Sequence, residues 1–134
     1  AEQRSVCTIV NMKKHAKKLF DALQSECEKE SAFYITTELC PAHRRVVIEQ
    51  VKKRLRDGLP CRVIATQCIE AGVDLDFDNV FRALAPLESI IQAAGRCNRN
   101  GRLPEGGQVL VFLPDEENLY PDNWYGRAAM LVSA

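Results

Sequence analysis

Two guanidiniums and an amide fall close together in the segment Ser89-Ile-Ile-Gln-Ala-Ala-Gly-Arg-Cys-Asn-Arg99. At about 100° per residue, a helix over Leu87 to Cys97 carried on to Arg99 brings Gln92, Arg96 and Arg99 within about 60° of one another. Ile90, Ala94 and Cys97 then occupy the opposite side, with Ala93 flanking them, and would pack on a sheet. Like charges one turn apart repel when unpaired, so a common anionic target makes the arrangement favourable. Guanidiniums suit phosphate oxygens because each forms two aligned hydrogen bonds. Gly95 leaves room for a close backbone or ligand approach. The residues also fit a plainer arrangement, two solvent-exposed arginines paired with the acidic stretch at 74–78.

A second segment, Val63-Ile-Ala-Thr-Gln-Cys-Ile-Glu-Ala-Gly-Val-Asp-Leu-Asp76, runs from an apolar strand into a hydroxyl at Thr66, then Gly72 and Asp74. A hydroxyl and backbone N–H groups at a strand end can hold a phosphate of a polynucleotide backbone. An aspartate there could accept from a ribose hydroxyl or hold one of the arginines; a capped turn is the plainer alternative. The chain has no G-x-x-x-x-G-K-[ST] loop to cradle a triphosphate, no D-E-x-D or D-E-x-H stretch for magnesium, and no spacing for Ser-His-Asp or Cys-His catalysis. If ATP is used, the other half of its site lies elsewhere.

The elements that must position these residues alternate. Ser5 to Val10, Ala32 to Thr36, Cys61 to Ala65, Asn79 to Ala83 and Gln108 to Leu113 read as strands. Asn11 is a plausible N-cap for a helix whose stripe is Met12, Ala16, Leu19, Phe20, Leu23 and Cys27, with Lys13, Lys14, Lys17 and Lys18 on its solvated faces. Pro41 suits the first turn of a helix burying Val47, Ile48, Val51 and Leu55, and Gly58 is placed to end it. The pattern predicts an α/β fold with a mostly parallel sheet of about five strands, helices on both faces and right-handed crossovers. Functional residues in such sheets collect beyond the carboxyl ends of the strands, here Asn11, Thr36, Thr37, Thr66 onward and Leu84 to Pro86. Residues 71–78 read as a loop with a Gly hinge and three carboxylates, and Asn100-Gly101 as a turn.

The 134 residues suit one domain, 1–134, with a core over 5–113 and a tail over 114–134 whose aromatic cluster, Tyr120, Trp124 and Tyr125, the pattern leaves unplaced. Eighteen Lys and Arg balance eighteen Asp and Glu, which argues against a whole-surface nucleic-acid binder and leaves a local basic patch open. No apolar run has the roughly 18 residues of a membrane span, and the start, Ala1-Glu2-Gln3-Arg4, lacks signal-peptide character. The six cysteines form no C-x-x-C pair, and neither His15 nor His43 has knuckle spacing to one; no metal site is expected, and reduced thiols packed as small core residues of a cytoplasmic protein are.

Read together, the segments resemble the second RecA-like domain of superfamily 2 helicases. Gln92-Ala-Ala-Gly-Arg-Cys-Asn-Arg99 fits motif VI, Q-x-x-G-R-x-x-R; Ala65-Thr66 through Gly72-Val73-Asp74 fits motif V; Val10-Asn11 ahead of a basic helix looks like the motif IV region. The phrases EAGVDLDFD, LAPLESIIQAAGRCNRNG and ITTELCPAHR are similar to the helicase-nuclease of type I CRISPR interference, and the likeness covers about residues 5–113.

The resemblance implies a RecA-like fold and roles position by position. Arg96 and Arg99 would reach the γ-phosphate of ATP held on a first RecA-like domain, Arg99 as the finger, and Gln92 would position the nucleotide or attacking water. Gly72 and Asp74 would couple the nucleotide to motif V. Thr66, Asn11, Thr36 and Thr37 would contact the DNA backbone, with His43 and Arg44 as further candidates. It also implies ATP and Mg2+ bound mainly by the missing domain, an HD nuclease domain and a CRISPR RNA-guided surveillance complex as partners, single-stranded DNA as the track, and a prokaryotic, cytoplasmic setting. The chain starts without Met and lacks Walker motifs, so it reads as an excised domain that alone hydrolyses essentially no ATP. Another superfamily 2 DNA-repair or RNA helicase half, or a non-catalytic nucleic-acid-binding module, are the alternatives.

Overall fold

Five parallel strands in the order β2-β3-β1-β4-β5 make up the sheet: β1 (Ser5–Ile9), β2 (Ala32–Ile35), β3 (Cys61–Ala65), β4 (Asn79–Ala83) and β5 (Gln108–Phe112). The computed structural model describes residues 5–69, 74–99, 101, 103–115 and 119–133. Each strand lies within a residue or so of its expected span. The expectation of an α/β sheet with helices on both faces holds.

The period of two along each strand sorts side chains between two cores. Cys7, Ile9, Ile35, Cys61, Val63, Ala65 and Val80 share one face with Val51 of α2 (Pro41–Arg56) and Ala93 of α3 (Leu87–Ala94). Val10, Ile64 and Ala83 share the other with Ala16, Phe20 and Leu23 of α1 (Lys13–Glu26). Cys7 and Cys61 are fully buried, as small core residues should be. Strand β5 is an edge, and its Val109, Leu110 and Val111 stay exposed.

Helix α2 begins with Pro41 at its first positions and ends as Gly58 predicts. Gly58, at φ 67°, donates to the Leu55 carbonyl, and Leu59 donates to that of Arg54. Those two bonds and a left-handed glycine are the Schellman closure. His43 and Arg44 lie in the opening turns of this helix.

Two local expectations give way to tertiary structure, and the unplaced tail gains a helix. Asn11 does not cap α1: the N-cap is Met12, without a side-chain cap, and the Asn11 amide is turned inward. Helix α3 stops at Ala94, with Gly95 as its C-cap, instead of running to Cys97. The tail carries a fourth helix, α4 (Asn123–Ser133), beside α3. Asp122 starts it, its Oδ1 accepting from the Tyr125 N–H at 2.7 Å. No helix among the described residues is long and apolar enough to cross a membrane.

Candidate functional site

The carboxyl ends of β1, β2 and β3 open into a cleft of about 540 Å³ lined by Asn11, Met12, Lys13, Thr37, Thr66, Gln67 and Pro121. Parallel pairing forces this convergence, because β1 lies beside β3 with Ile9 opposite Ala65, and β2 beside β3 with Ile35 opposite Ala65. The Thr66 N–H donates to the Ile35 carbonyl, and a one-turn 3-10 helix, Gln67–Ile69, turns the chain away beneath the cleft. The start of α1 forms another wall. Its uncapped first turn adds the partial positive charge of a helix N-terminus to the ammonium of Lys13.

Three of the four residues expected to touch a polynucleotide, Asn11, Thr37 and Thr66, therefore line one cleft. Thr36 does not join them. It is fully buried, and its Oγ1 accepts from the Glu38 N–H at 3.2 Å. Lys13 and Gln67 join the lining although pattern reading assigned them no role. Lys13 is hidden in a lysine run that reads as a solvated helix face, and only its place in the first turn after β1 distinguishes it.

The arginine segment is positioned differently. Past Ala94 the chain pairs with residue 77: the Phe77 N–H donates to the Arg96 carbonyl at 2.7 Å, and the Asn98 N–H to the Phe77 carbonyl at 2.8 Å. Asn98 takes a left-handed φ of 45° and clasps Leu103 with both ends of its amide. The Cys97 thiol donates to the carbonyls of Asp78 and Gln108, each at 3.3 Å. Burial pushes that thiol up, with the Asp76 carboxylate adding to the shift. These bonds fix Arg96 to Arg99 at the amino ends of β4 and β5, away from the strand-end cleft.

Each of the three carboxylates in the 74–78 stretch has its own task. Asp78 is buried and exchanges two bonds with Ser5: its Oδ2 accepts from the Ser5 N–H at 3.1 Å, and its N–H donates to the Ser5 hydroxyl at 2.8 Å. Asp76 accepts from the Arg99 N–H at 2.7 Å. Asp74 accepts from Arg99 Nη1 at 2.9 Å. Buried Leu75 and Phe77, between the aspartates, anchor the stretch to the core. Gln92 projects exposed from α3, and Arg96 is half-buried. Gly72 lies outside the described residues. Beside the Arg99–Asp74 pair is a depression of about 310 Å³ lined by Glu49, Lys52, Leu55, Arg56, Asp74, Leu75 and Asp76. Among the described residues no three His, Cys, Asp or Glu side chains converge as metal ligands.

The family described as CRISPR-associated nuclease/helicase Cas3, C-terminal, matches residues 2–102. Over 84 residues the sequence is 52% identical to the CRISPR-associated nuclease/helicase Cas3 of Haloferax volcanii, covering 58% of this chain and 9% of that protein. It is 33% identical over 98 residues to the protein of the same name from Methanothermobacter thermautotrophicus, covering 73% of this chain and 11% of that one. The chain thus spans about a tenth of the length of these curated relatives. The T. fusca Cas3–AMPPNP crystal structure aligns with a TM-score of 0.72 at 20% identity, over 90% of this chain and 15% of that chain. The C-terminal domain of the DEAD-box protein Dbp5 aligns at 0.66 with 22% identity, over 87% of this chain and 64% of that one. At such identities these superpositions establish the shared fold.

Proposed function

Because the chain belongs to the Cas3 C-terminal family, we propose that it is the second RecA-like domain of an ATP-driven, single-stranded-DNA translocase acting in CRISPR interference. In this reading the strand-end cleft takes the polynucleotide backbone. Thr66 and Thr37 offer hydroxyls, Lys13 a positive charge, and the first turn of α1 its amide dipoles. Arg96, Arg99 and Gln92 serve ATP held with Mg2+ by a first RecA-like domain. There a guanidinium stabilises charge developing on the transferred phosphoryl group, an effect worth about 10³ to 10⁵ in rate.

The observation that carries the reading is the hold on Arg99. Its backbone is bonded to Asp76 and its side chain rests on Asp74, with side-chain exposures of 46% and 81% for the pair. A fixed backbone with an exchangeable side chain is what a residue reaching toward a partner domain needs. Thr66 of the cleft and Asp74 of this site stand eight residues apart in the same motif V stretch, so closure of two domains around ATP would be felt at the DNA. A longer protein would add the nuclease domain, and the surveillance complex would recruit it. The isolated chain would have no appreciable ATPase activity.

Steady-state ATP hydrolysis by a full-length protein carrying this domain tests the proposal, without nucleic acid and with ssDNA or ssRNA. DNA-stimulated turnover that drops at least about 10³-fold in Arg99→Ala is the expected result. Equal rates with and without Arg99 would overturn it, and stimulation by ssRNA alone would shift the track to RNA.

A further inference from the structure

Arg82 is fully buried near the carboxyl end of β4. A buried guanidinium is tolerable only where its N–H groups find acceptors. Its Nη1 donates to Asn11 Oδ1 at 2.9 Å, to the Ala83 carbonyl at 3.1 Å and to the Ile9 carbonyl at 3.4 Å. Its Nη2 donates to the Tyr125 hydroxyl at 2.9 Å, and that hydroxyl donates in turn to Asn11 Oδ1 at 3.1 Å. Arginine, tyrosine and asparagine so close a triangle in which each bond polarises the next.

Two corners of the triangle lead into the strand-end cleft. Asn11 lines it, its amide Nδ2 tied to the Leu84 carbonyl at 2.9 Å and its own carbonyl accepting from Gln67 Nε2 at 3.0 Å. From Tyr125 the connection runs through the start of α4. Asp122 accepts from the Tyr125 N–H, the Tyr120 ring lies 6.0 Å from the Tyr125 ring, and Pro121, between Tyr120 and Asp122, lines the facing side of the cleft. Tyr120 is seated tightly, since a Cβ on Gly126 would come within 3.1 Å of its ring.

We propose that Arg82 and Tyr125 form a latch that holds the Pro121 wall against the Asn11–Gln67 wall and so sets the width of the cleft for a polynucleotide backbone. Both are positioning residues: neither lines the cleft, and each acts through a residue that does. The inference rests on the reading of that cleft as the nucleic-acid site. It gives the aromatic tail a role in binding that helicase motifs do not assign.

Tyr125→Phe is the informative variant, because it removes one oxygen, keeps the ring and leaves Arg82 its bonds to Asn11, Ala83 and Ile9. The chain is measured with fluorescein-labelled oligo(dT) by anisotropy, and without DNA by amide hydrogen exchange, alongside Lys13→Ala. The latch predicts affinity about five- to tenfold weaker in Tyr125→Phe, a loss typical of one coupled pair. It also predicts faster exchange at Tyr125, Gly126 and Ile69 with β3 amides unchanged, and a lowered urea midpoint, because Arg82 Nη2 loses its acceptor, with the chain still fully folded in the urea-free binding buffer. Unchanged affinity and exchange in Tyr125→Phe, with Lys13→Ala weakening binding, would overturn the latch and leave the cleft reading standing. No binding by wild type, or no effect of Lys13→Ala, would remove the cleft reading and the latch's function with it. Affinity that is weakened only where the variant has begun to unfold, and equals wild type where it is fully folded, would reduce the triangle to structural support and overturn the proposal.

Discussion

At the carboxyl ends of the strands, polar groups are held by burial: Asn11 is 5% exposed, Thr66 4% and Arg82 0%. At the amino ends of β4 and β5, Arg99 and Asp74 meet with side chains 46% and 81% exposed. The first arrangement resists rearrangement, because a buried donor or acceptor that loses its partner costs about 1–3 kcal/mol. The second exchanges readily, since an exposed ion pair contributes roughly 0–1 kcal/mol. One domain thus combines a pre-shaped cleft with a side chain that can leave Asp74 at little cost. A shape-selective track and a mobile finger are the two things the proposed function requires.

Stability measurements can break or sharpen this contrast. The largest effect is expected for Arg82→Met, which leaves Asn11, Ile9 and Ala83 short of a donor. Its urea midpoint should fall by the equivalent of about 3 kcal/mol, while Arg99→Ala should change stability by less than about 1 kcal/mol. Similar losses for the two would erase the difference between the regions. Gly107→Ala comes next. Its Cβ would lie 2.5 Å from both the Asp78 carbonyl oxygen and the Cys97 thiol, so the arginine segment must shift or the chain lose about 1–3 kcal/mol. A crystal structure or denaturation curve indistinguishable from wild type would show that the segment at 96–99 is not seated as described.

The smallest effect concerns pH. Burial pushes the Cys61 thiol from 9.0 up to about 11. A raised folded-state value favours the protonated, folded form, so its contribution is complete below pH 9.0 and disappears as pH rises through about 11. Wild type should therefore lose stability more steeply than Cys61→Ala across that window. Parallel pH profiles would mean that the thiol is solvated in the folded chain.

How much of this was legible in the sequence follows from where local and tertiary preferences agree. The strands, the buried stripe of α2 and the Gly58 stop were readable because apolar periodicity and turn chemistry point the same way. The end of α3 was not, because Ile90, Ala94 and Cys97 keep helical spacing while the backbone at 96–98 finds better partners on Phe77. Asn11 has N-cap chemistry, but Arg82 and Tyr125 claim its oxygen from 71 and 114 residues away. An arginine inside the strand Asn-Val-Phe-Arg-Ala was the available hint of that network. Gly126 obscured α4, although Asp122 three residues before Tyr125 is a readable N-cap. Of the residues that the motif spacing singled out, Thr66 lines the cleft and Asp74 meets Arg99, and the Arg99–Asp74 contact is the plainer pairing that the same spacing allowed. That cleft and arginine segment lie at different ends of the sheet depends on where the 74–78 stretch re-enters it, which periodicity does not encode.

A split between DNA affinity and turnover in a full-length protein tests most directly whether this chain carries two separable sites. DNA dissociation constants and ATP turnover at saturating ssDNA would be measured for wild type, Arg99→Ala and Thr66→Ala. The account predicts that Arg99→Ala keeps wild-type DNA affinity and loses turnover, while Thr66→Ala weakens DNA binding several-fold and retains most of its turnover once saturated. Loss of DNA affinity in Arg99→Ala as large as in Thr66→Ala would place the arginine on the DNA track and contradict the two-site account.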